Sequence, residues 1–377
     1  EINPNHVPKL EELFGKSANI YNEDFLDFKK DMQFDIIVGN PPFNSGGKKK
    51  VPTDKKSQKK NDGKTIWTSF VKQSISLLKQ SGLLVMITPS IWMRPDKAKM
   101  YDFLTRFNIK KIHCLSNTET NKVFHGKAQT PTCYFLLTNK IYATYHYVTL
   151  YDSQTNRLYP WHFYRKNLPI PVFAASILFK LQWLVQKYGH LNVIKTNMPN
   201  KNAHYSPKKT FITQFPNVKT CLLDKNQPYL KINYTNMPIQ FNGKPKLIMA
   251  HKMYGFPFLD EKGKYGISNR DTYLILNKPV GQLLLLRDFL STRFARYIFE
   301  GSRYRMKYLG KTIFELIPDI TKIYKCNVKI TDSIIADIFH LNKKDREIIM
   351  NFHKKNYLFC IEDRKIENKI IPTIKVS

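Results

Sequence analysis

Two adjacent prolines, Pro41 and Pro42, close a run of β-branched residues, and few chains tolerate that combination. Ile36, Ile37 and Val38 read as a buried strand of a parallel sheet. Gly39 permits close backbone approach, and neither proline can donate to a ladder, so the strand must stop there. The result is a stiff loop at the carboxyl end of a strand, where open α/β sheets place their ligands. It carries one amide, Asn40, and one flat ring, Phe43.

The surrounding chain keeps an alternating rhythm. Val7, Leu10, Leu13 and Phe14 have helical spacing, residues 19–22 read as a short strand, and Phe34–Val38 is the strand before the prolines. A helix over 66–80 stopped by Ser81-Gly82, a strand over 83–88, a helix over 97–107 and strands over 109–115, 132–138 and 145–150 follow. This order predicts an α/β, Rossmann-like doubly wound sheet over residues 1–150. From 151 to 377 the chain is irregular, basic and rich in aromatics and prolines, with helices near 174–187, 284–299 and 332–353. That is a mixed α+β second region, with the boundary placed near 150, give or take about fifteen residues.

Charge narrows the partners. Sixty-one Lys and Arg against 29 Asp and Glu leave a formal charge of +32. So large an excess predicts a polyanion, nucleic acid before an anionic membrane surface, although a lysine-rich coding bias accounts for part of it. Residues 45–64 hold eight lysines and three glycines and read as a solvated loop that also places Lys48, Lys49 and Lys50 beside the proline turn. Further candidate nucleic-acid contacts are Lys252, Arg270, Arg303 and Arg305; Arg94 reads equally as a surface charge or a phosphate contact. Trp67 and Trp92 read as core. The five cysteines form no metal-ligand spacing, which predicts no metal site, no disulfide framework and a reducing, cytoplasmic compartment. No run of 18 apolar residues is present.

Asn40 and the Pro41 carbonyl are two acceptors on one rigid turn. Together they suit a planar NH₂ group: two hydrogen bonds accepted from one amine free its lone pair from conjugation, while Phe43 stacks on the ring that bears it. A base inside a duplex reaches such a pocket only when flipped out.

Asn40-Pro41-Pro42-Phe43 resembles the catalytic motif of amino-group DNA methyltransferases, adenine type, of the restriction-modification kind. Glu1-Ile2-Asn3-Pro4 resembles the segment of that family whose acid holds the ribose of S-adenosylmethionine and whose next apolar residue packs on its adenine. Asn22–Leu26 resembles the segment whose acid, here Asp24 followed by Phe25, lies beside the cofactor's adenine amine. Val123-Phe124 resembles a later element and makes Phe124 a candidate second wall for the flipped base. The resemblance is strong over 1–140 and loose to about 320. It implies S-adenosylmethionine as cofactor, double-stranded DNA as substrate, Asn40, Pro41, Pro42 and Phe43 as the catalytic loop, and Glu1, Ile2, Asp24, Phe25 and Asn40 around the cofactor. The family's glycine-rich cofactor motif has no counterpart in residues 1–377, so an upstream segment or a partner chain is expected to supply it. Two rivals remain: a methyltransferase-like DNA-binding or structural subunit, and a protein glutamine methyltransferase, whose side-chain amide is also a planar NH₂.

Overall fold

The computed structural model describes residues 1–377 except 29–30, 48–63, 127, 129, 143–146, 164, 225–226, 254, 306–307, 326–328, 353–372 and 377. Helix α1 (Val7–Phe14) comes first. Strand β1 (Phe34–Gly39) leads into the proline loop, and α2 (Trp67–Ser76) returns the chain to β2 (Leu78–Pro89). After them come α3 (Met100–Leu104), β3 (Phe107–Leu115), α4 (Asn117–Val123), β4 (Thr132–Ile141), β5 (Tyr147–Asp152) and β6 (Arg157–His162).

These six strands form one mixed sheet in the order β1-β2-β4-β3-β5-β6. β1 runs parallel to β2 and β3 to β5, while β4 lies antiparallel between β2 and β3. The expected α/β class is therefore present, and the sheet continues to His162. Along β2 burial alternates, with Leu84, Met86 and Thr88 on the covered face. Each such apolar side chain contributes about 1.5–3 kcal/mol by leaving water.

Several local readings change. Residues 19–22 form no strand, since no described strand lies beside them to pair. α2 ends at Ser76, and Ser81-Gly82 lies inside β2 instead of capping a helix. A Cβ at Gly82 would come within 3.0–3.1 Å of the carbonyl oxygens of Lys79, Asp35 and Phe34, where the β1–β2 register shifts. The glycine therefore serves a bulge. β1 itself is not buried. It pairs with β2 alone among the described residues, and Ile36 and Val38 are 58% and 74% exposed.

The second region adds α5 (Ala175–Tyr188) and two further sheets. One has the order β13-β9-β10-β15, with β8 beside β10; these strands are β8 (Tyr205–Ser206), β9 (Phe215–Asp224), β10 (Gln227–Thr235), β13 (Gly266–Ile267) and β15 (Thr373–Val376). The other is antiparallel, in the order β12-β11-β14-β7, from β7 (Ile194–Lys195), β11 (Lys246–Met249), β12 (Phe258–Asp260) and β14 (Tyr273–Ile275). The helix expected over 284–299 is two, α6 (Val280–Leu290) and α7 (Arg293–Gly301), because Thr292 caps α7 through the Ala295 N–H. α8 (Ile320–Ile323), α9 (Asp332–Ile338) and α10 (Lys343–Met350) complete the order.

One large core runs from Trp67 to Phe352, so α5, α6 and α7 pack into the same apolar interior as the first sheet. Trp67 and Trp92 lie in it, as expected. A smaller core around Val218, Leu230, Ile248 and Ile267 sits between the two later sheets. No helix among the described residues is long and apolar enough to cross a membrane.

Candidate active site

Asn40 follows β1 directly, at the same edge of the sheet as the carboxyl end of its parallel neighbour β2. Pro41 is buried and anchors the turn; Asn40 and Pro42 are exposed. The Asn40 side chain has no hydrogen-bond partner among the described residues. The loop is closed from its far side. Asn44 and Thr65 form an antiparallel bridge, Ser45 donates to the Lys64 carbonyl at 2.8 Å, and Ile66 donates to the Phe43 carbonyl at 3.3 Å. These bonds pin both ends of the lysine-rich segment to the base of the loop. No local sequence signal announces them, because the pairing spans that whole segment. Lys48, Lys49 and Lys50 lie outside the described residues.

Phe43 is half-buried against the large core, and its ring lies 6.3 Å from that of Phe124 at 63°. Phe124 caps the end of α4, whose start is fixed by a capping box between Ser116 and Glu119. Two candidate base-binding rings, 81 positions apart in sequence, thus meet edge to face. A base stacked between two rings needs them nearly parallel and about 7 Å apart, twice the ~3.5 Å contact distance. As it stands the slot is closed.

Glu1 is tied to the segment just before Asp24. The Glu1 backbone nitrogen donates to the Tyr21 carbonyl at 3.0 Å, and Asn22 Nδ2 donates to the Glu1 carbonyl at 2.7 Å. Glu1 accepts from the Asn3 N–H through Oε1 at 2.9 Å. That bond, helped by His6, holds the Glu1 carboxyl below its usual range. Asp24 Oδ1 accepts from the Leu26 N–H at 2.9 Å. Each carboxylate keeps its second oxygen without a partner among the described residues, and Ile2 is 67% exposed beside them. Phe25 is partly committed, since one face stacks on Phe70 of α2 at 5.6 Å and 14°.

The basic candidates divide. Arg305 and Arg270 are exposed, the latter 3.7 Å from Asp271. Lys252 pairs with Tyr308 through a backbone bridge. Arg303 departs from the expectation: it is 5% exposed and 3.3 Å from Glu300, a buried pair one helical turn apart. A buried charge needs a partner inside the fold, so Arg303 serves packing.

Residues 3–124 match the model of the Eco57I restriction-modification methylase family. The amino-terminal third of this chain is similar to restriction-modification methylases. The chain is 29% identical over 116 residues to the type II methyltransferase M.TthHB8I of Thermus thermophilus, covering 28% of this chain and 26% of that one. It is 35% identical over 85 residues to a putative type II restriction enzyme and methyltransferase, RM.MjaORFECS2P, of Methanocaldococcus jannaschii, covering 22% and 7%. The match therefore spans about a quarter of one relative and less than a tenth of the other. Among solved structures, the type IIL restriction-modification enzyme MmeI in complex with DNA superposes with a TM-score of 0.37 at 11% identity, over 85% of this chain and 55% of that one.

Proposed function

We propose that this chain carries the base-binding half and the DNA-recognition region of a methyltransferase acting on the N6 amine of adenine in duplex DNA. The observation that carries the reading is the free Asn40 amide on a proline-stiffened loop whose Phe43 ring meets Phe124 edge to face. S-adenosylmethionine supplies the electrophilic sulfonium methyl. Glu1 and Asp24 hold the ribose and adenine of that cofactor through their unpartnered oxygens, and Ile2 covers the adenine face. The glycine-rich cradle for its methionine end comes from a partner chain or from upstream sequence.

Asn40 Oδ1 and the Pro41 carbonyl each accept a hydrogen bond from the adenine amine. This would localise the nitrogen lone pair towards the sulfonium methyl that bound S-adenosylmethionine would supply; as the nitrogen–carbon bond formed, the carbon–sulfur bond would break to leave a thioether, and the surplus amine proton would pass to water. Neutral acceptors suffice because the amine needs orientation more than it needs a strong base. Adenine reaches the loop only after flipping out of the duplex, and Phe124 turns to admit it against Phe43. The later sheets and the exposed cations hold the duplex. We assign residues 1–162 to the catalytic body and 190–276 to the recognition module, on the extent of the first sheet and of the smaller core.

Tritium transfer from labelled S-adenosylmethionine to duplex DNA, measured with the full-length protein and any partner subunit, tests this. Asn40→Ala should lower the rate about 10²–10³-fold with unchanged DNA binding. Undiminished transfer by that variant defeats the mechanism. Tight DNA binding with no calorimetric signal for S-adenosylmethionine makes the chain a binding subunit, and transfer to a protein glutamine instead of DNA replaces the substrate.

A further inference from the structure

In the second region, β8 and β9 lie on opposite sides of β10 and end against the same two of its residues. Tyr234 pairs with Ser206 and Pro216, and Thr235 with Tyr205 and Phe215. Residues 207–214 therefore leave the sheet and return to it at one point, as a projecting loop. Its apex is fixed from inside. The Thr210 N–H donates to the Thr213 carbonyl at 3.2 Å, and the Thr213 N–H donates to Thr210 Oγ1 at 3.0 Å. Thr213 Oγ1 and Ser206 Oγ both donate to the Lys208 carbonyl, at 3.3 and 2.7 Å. Gln214 Nε2 donates to the Phe211 carbonyl at 2.9 Å, and Thr213 is buried within this web.

What the apex holds out is Phe211 and Ile212, 93% and 68% exposed. Turn positions ordinarily take Gly, Asn, Asp or Ser. A phenyl ring and an isoleucine held clear of the fold add nothing to its core, and water disfavours both. Slack does not account for their exposure, because the turn beneath them is hydrogen-bonded on both sides. Lys208 and Lys209 stand just before them, exposed. Between Asp152 and Asp260 the chain has a single acid, Asp224. A matching partner therefore offers an apolar slot with an anionic rim. A DNA duplex is built that way, with flat base faces stacked inside and phosphates along both edges. A bilayer fits less well, because interfacial binding scales with buried apolar area and the apex offers two side chains.

We propose that Phe211 and Ile212 form a wedge that enters the base stack of the duplex, with Lys208 and Lys209 on the flanking phosphates. This rests on the DNA-methyltransferase reading and adds the element that deforms the substrate. Apolar side chains driven between base pairs unstack one step and bend the helix. The cost is least where the step is flexible, as at pyrimidine–purine steps. The wedge thus selects for deformability, and that preference needs no hydrogen bond to a base edge.

The test uses the full-length protein, a variant with Phe211→Ser and Ile212→Ser, and a variant with Lys208→Gln and Lys209→Gln. Each is titrated onto a duplex carrying a fluorescence donor and acceptor at its two ends, over a range of salt. All four positions are exposed, so both variants should melt like the wild type. The wild type should bring the duplex ends closer together on binding. The serine variant should bind about ten- to hundredfold more weakly and leave the duplex straight, with the slope of log K against log salt unchanged. The glutamine variant should keep the bend and make that slope shallower by about 1.8. Wild-type affinity and bend in the serine variant overturn the wedge and leave the methyltransferase reading intact, and so does a straight duplex in the wild-type complex. A loss by that variant of binding to phosphatidylserine vesicles, or of self-association in sedimentation, then gives the apex to a bilayer or to a second copy of the chain. Absence of duplex binding by the wild type overturns both readings.

Discussion

The proline loop and the Lys246 pocket solve opposite problems. At the loop, a polar amide is left without a partner, and apolar Ile36 and Val38 of the strand beneath it face outward. At the pocket, a lysine is wholly buried, yet every atom is matched. Lys246 Nζ lies 2.6 Å from Asp260 and donates to the carbonyls of Phe241 and Lys244 at 3.0 Å each. Asp260 in turn accepts from the Lys264 and Tyr265 N–H groups at 2.9 and 3.0 Å. Burial lowers the Lys246 pKa, and Asp260 opposes that shift. The loop is stiffened by covalent rings and a few backbone bonds, so its functional groups stay available. The pocket is stiffened by satisfying its charges, so none is left to do chemistry.

The contrast makes ordered predictions. The largest effect belongs to the pocket. Lys246→Met strands the Asp260 carboxylate and should cost about 3–5 kcal/mol in urea unfolding, with methyl transfer by the surviving folded fraction unchanged. Lys246→Met with Asp260→Leu should recover most of that loss; if it does not, the pair matters through shape and not through charge. Next comes the loop. Phe43→Ala should weaken binding of a duplex carrying an abasic or mismatched target by about 1–3 kcal/mol through lost stacking, with a smaller change in the melting temperature. Equal losses in both measurements would place Phe43 in the core and not the site.

A pH effect follows at the seam between the two regions. Burial first, then Lys195, Arg305 and Arg94, brings the His251 pKa down to about 4, with Asp271 pulling the other way. The unfolded chain takes up that proton near its ordinary value of about 6.5. Between the two values the unfolded state binds more protons, so stability falls as pH drops from about 6.5 towards 4 and then levels off. His251→Gln should flatten that part of a melting-temperature profile. The smallest effect belongs to β1. Val38→Thr should shift stability by no more than about 0.5 kcal/mol, while Leu84→Ala on the covered face of β2 should cost about 2–5 kcal/mol. A large loss from Val38→Thr in the isolated chain would show that this strand is covered after all.

Much was legible from the chain alone. The prolines dictated where β1 ends, the apolar run 83–88 marked β2 as a strand, and the resemblance at Asn40–Phe43 selected the loop that follows β1. Nothing in the local sequence ties Glu1 to Asn22, yet the Asn22 amide donates to the Glu1 carbonyl. Burial was less legible. Ile36-Ile37-Val38 reads as interior strand because composition records only apolarity, whereas exposure depends on how many strands stand beside it. Arg303 and Arg305 are two positions apart and equally basic on paper. Both follow the end of α7 at Gly301, yet one became half of a buried pair with Glu300 and the other stayed in solvent.

By itself, then, the sequence determined the local chemistry: the stiff loop, the free amide, the excess of positive charge and the α/β order. Those follow from backbone permissions and side-chain types, which are properties of single residues and near neighbours. Tertiary structure decided which groups meet. It set Phe124 against Phe43, tied Asn44 to Thr65 across the lysine-rich segment, and carried Tyr304 and Gly310 over to Arg94. Such contacts join residues tens to hundreds of positions apart, and their energies exist only once the sheets and helices have packed.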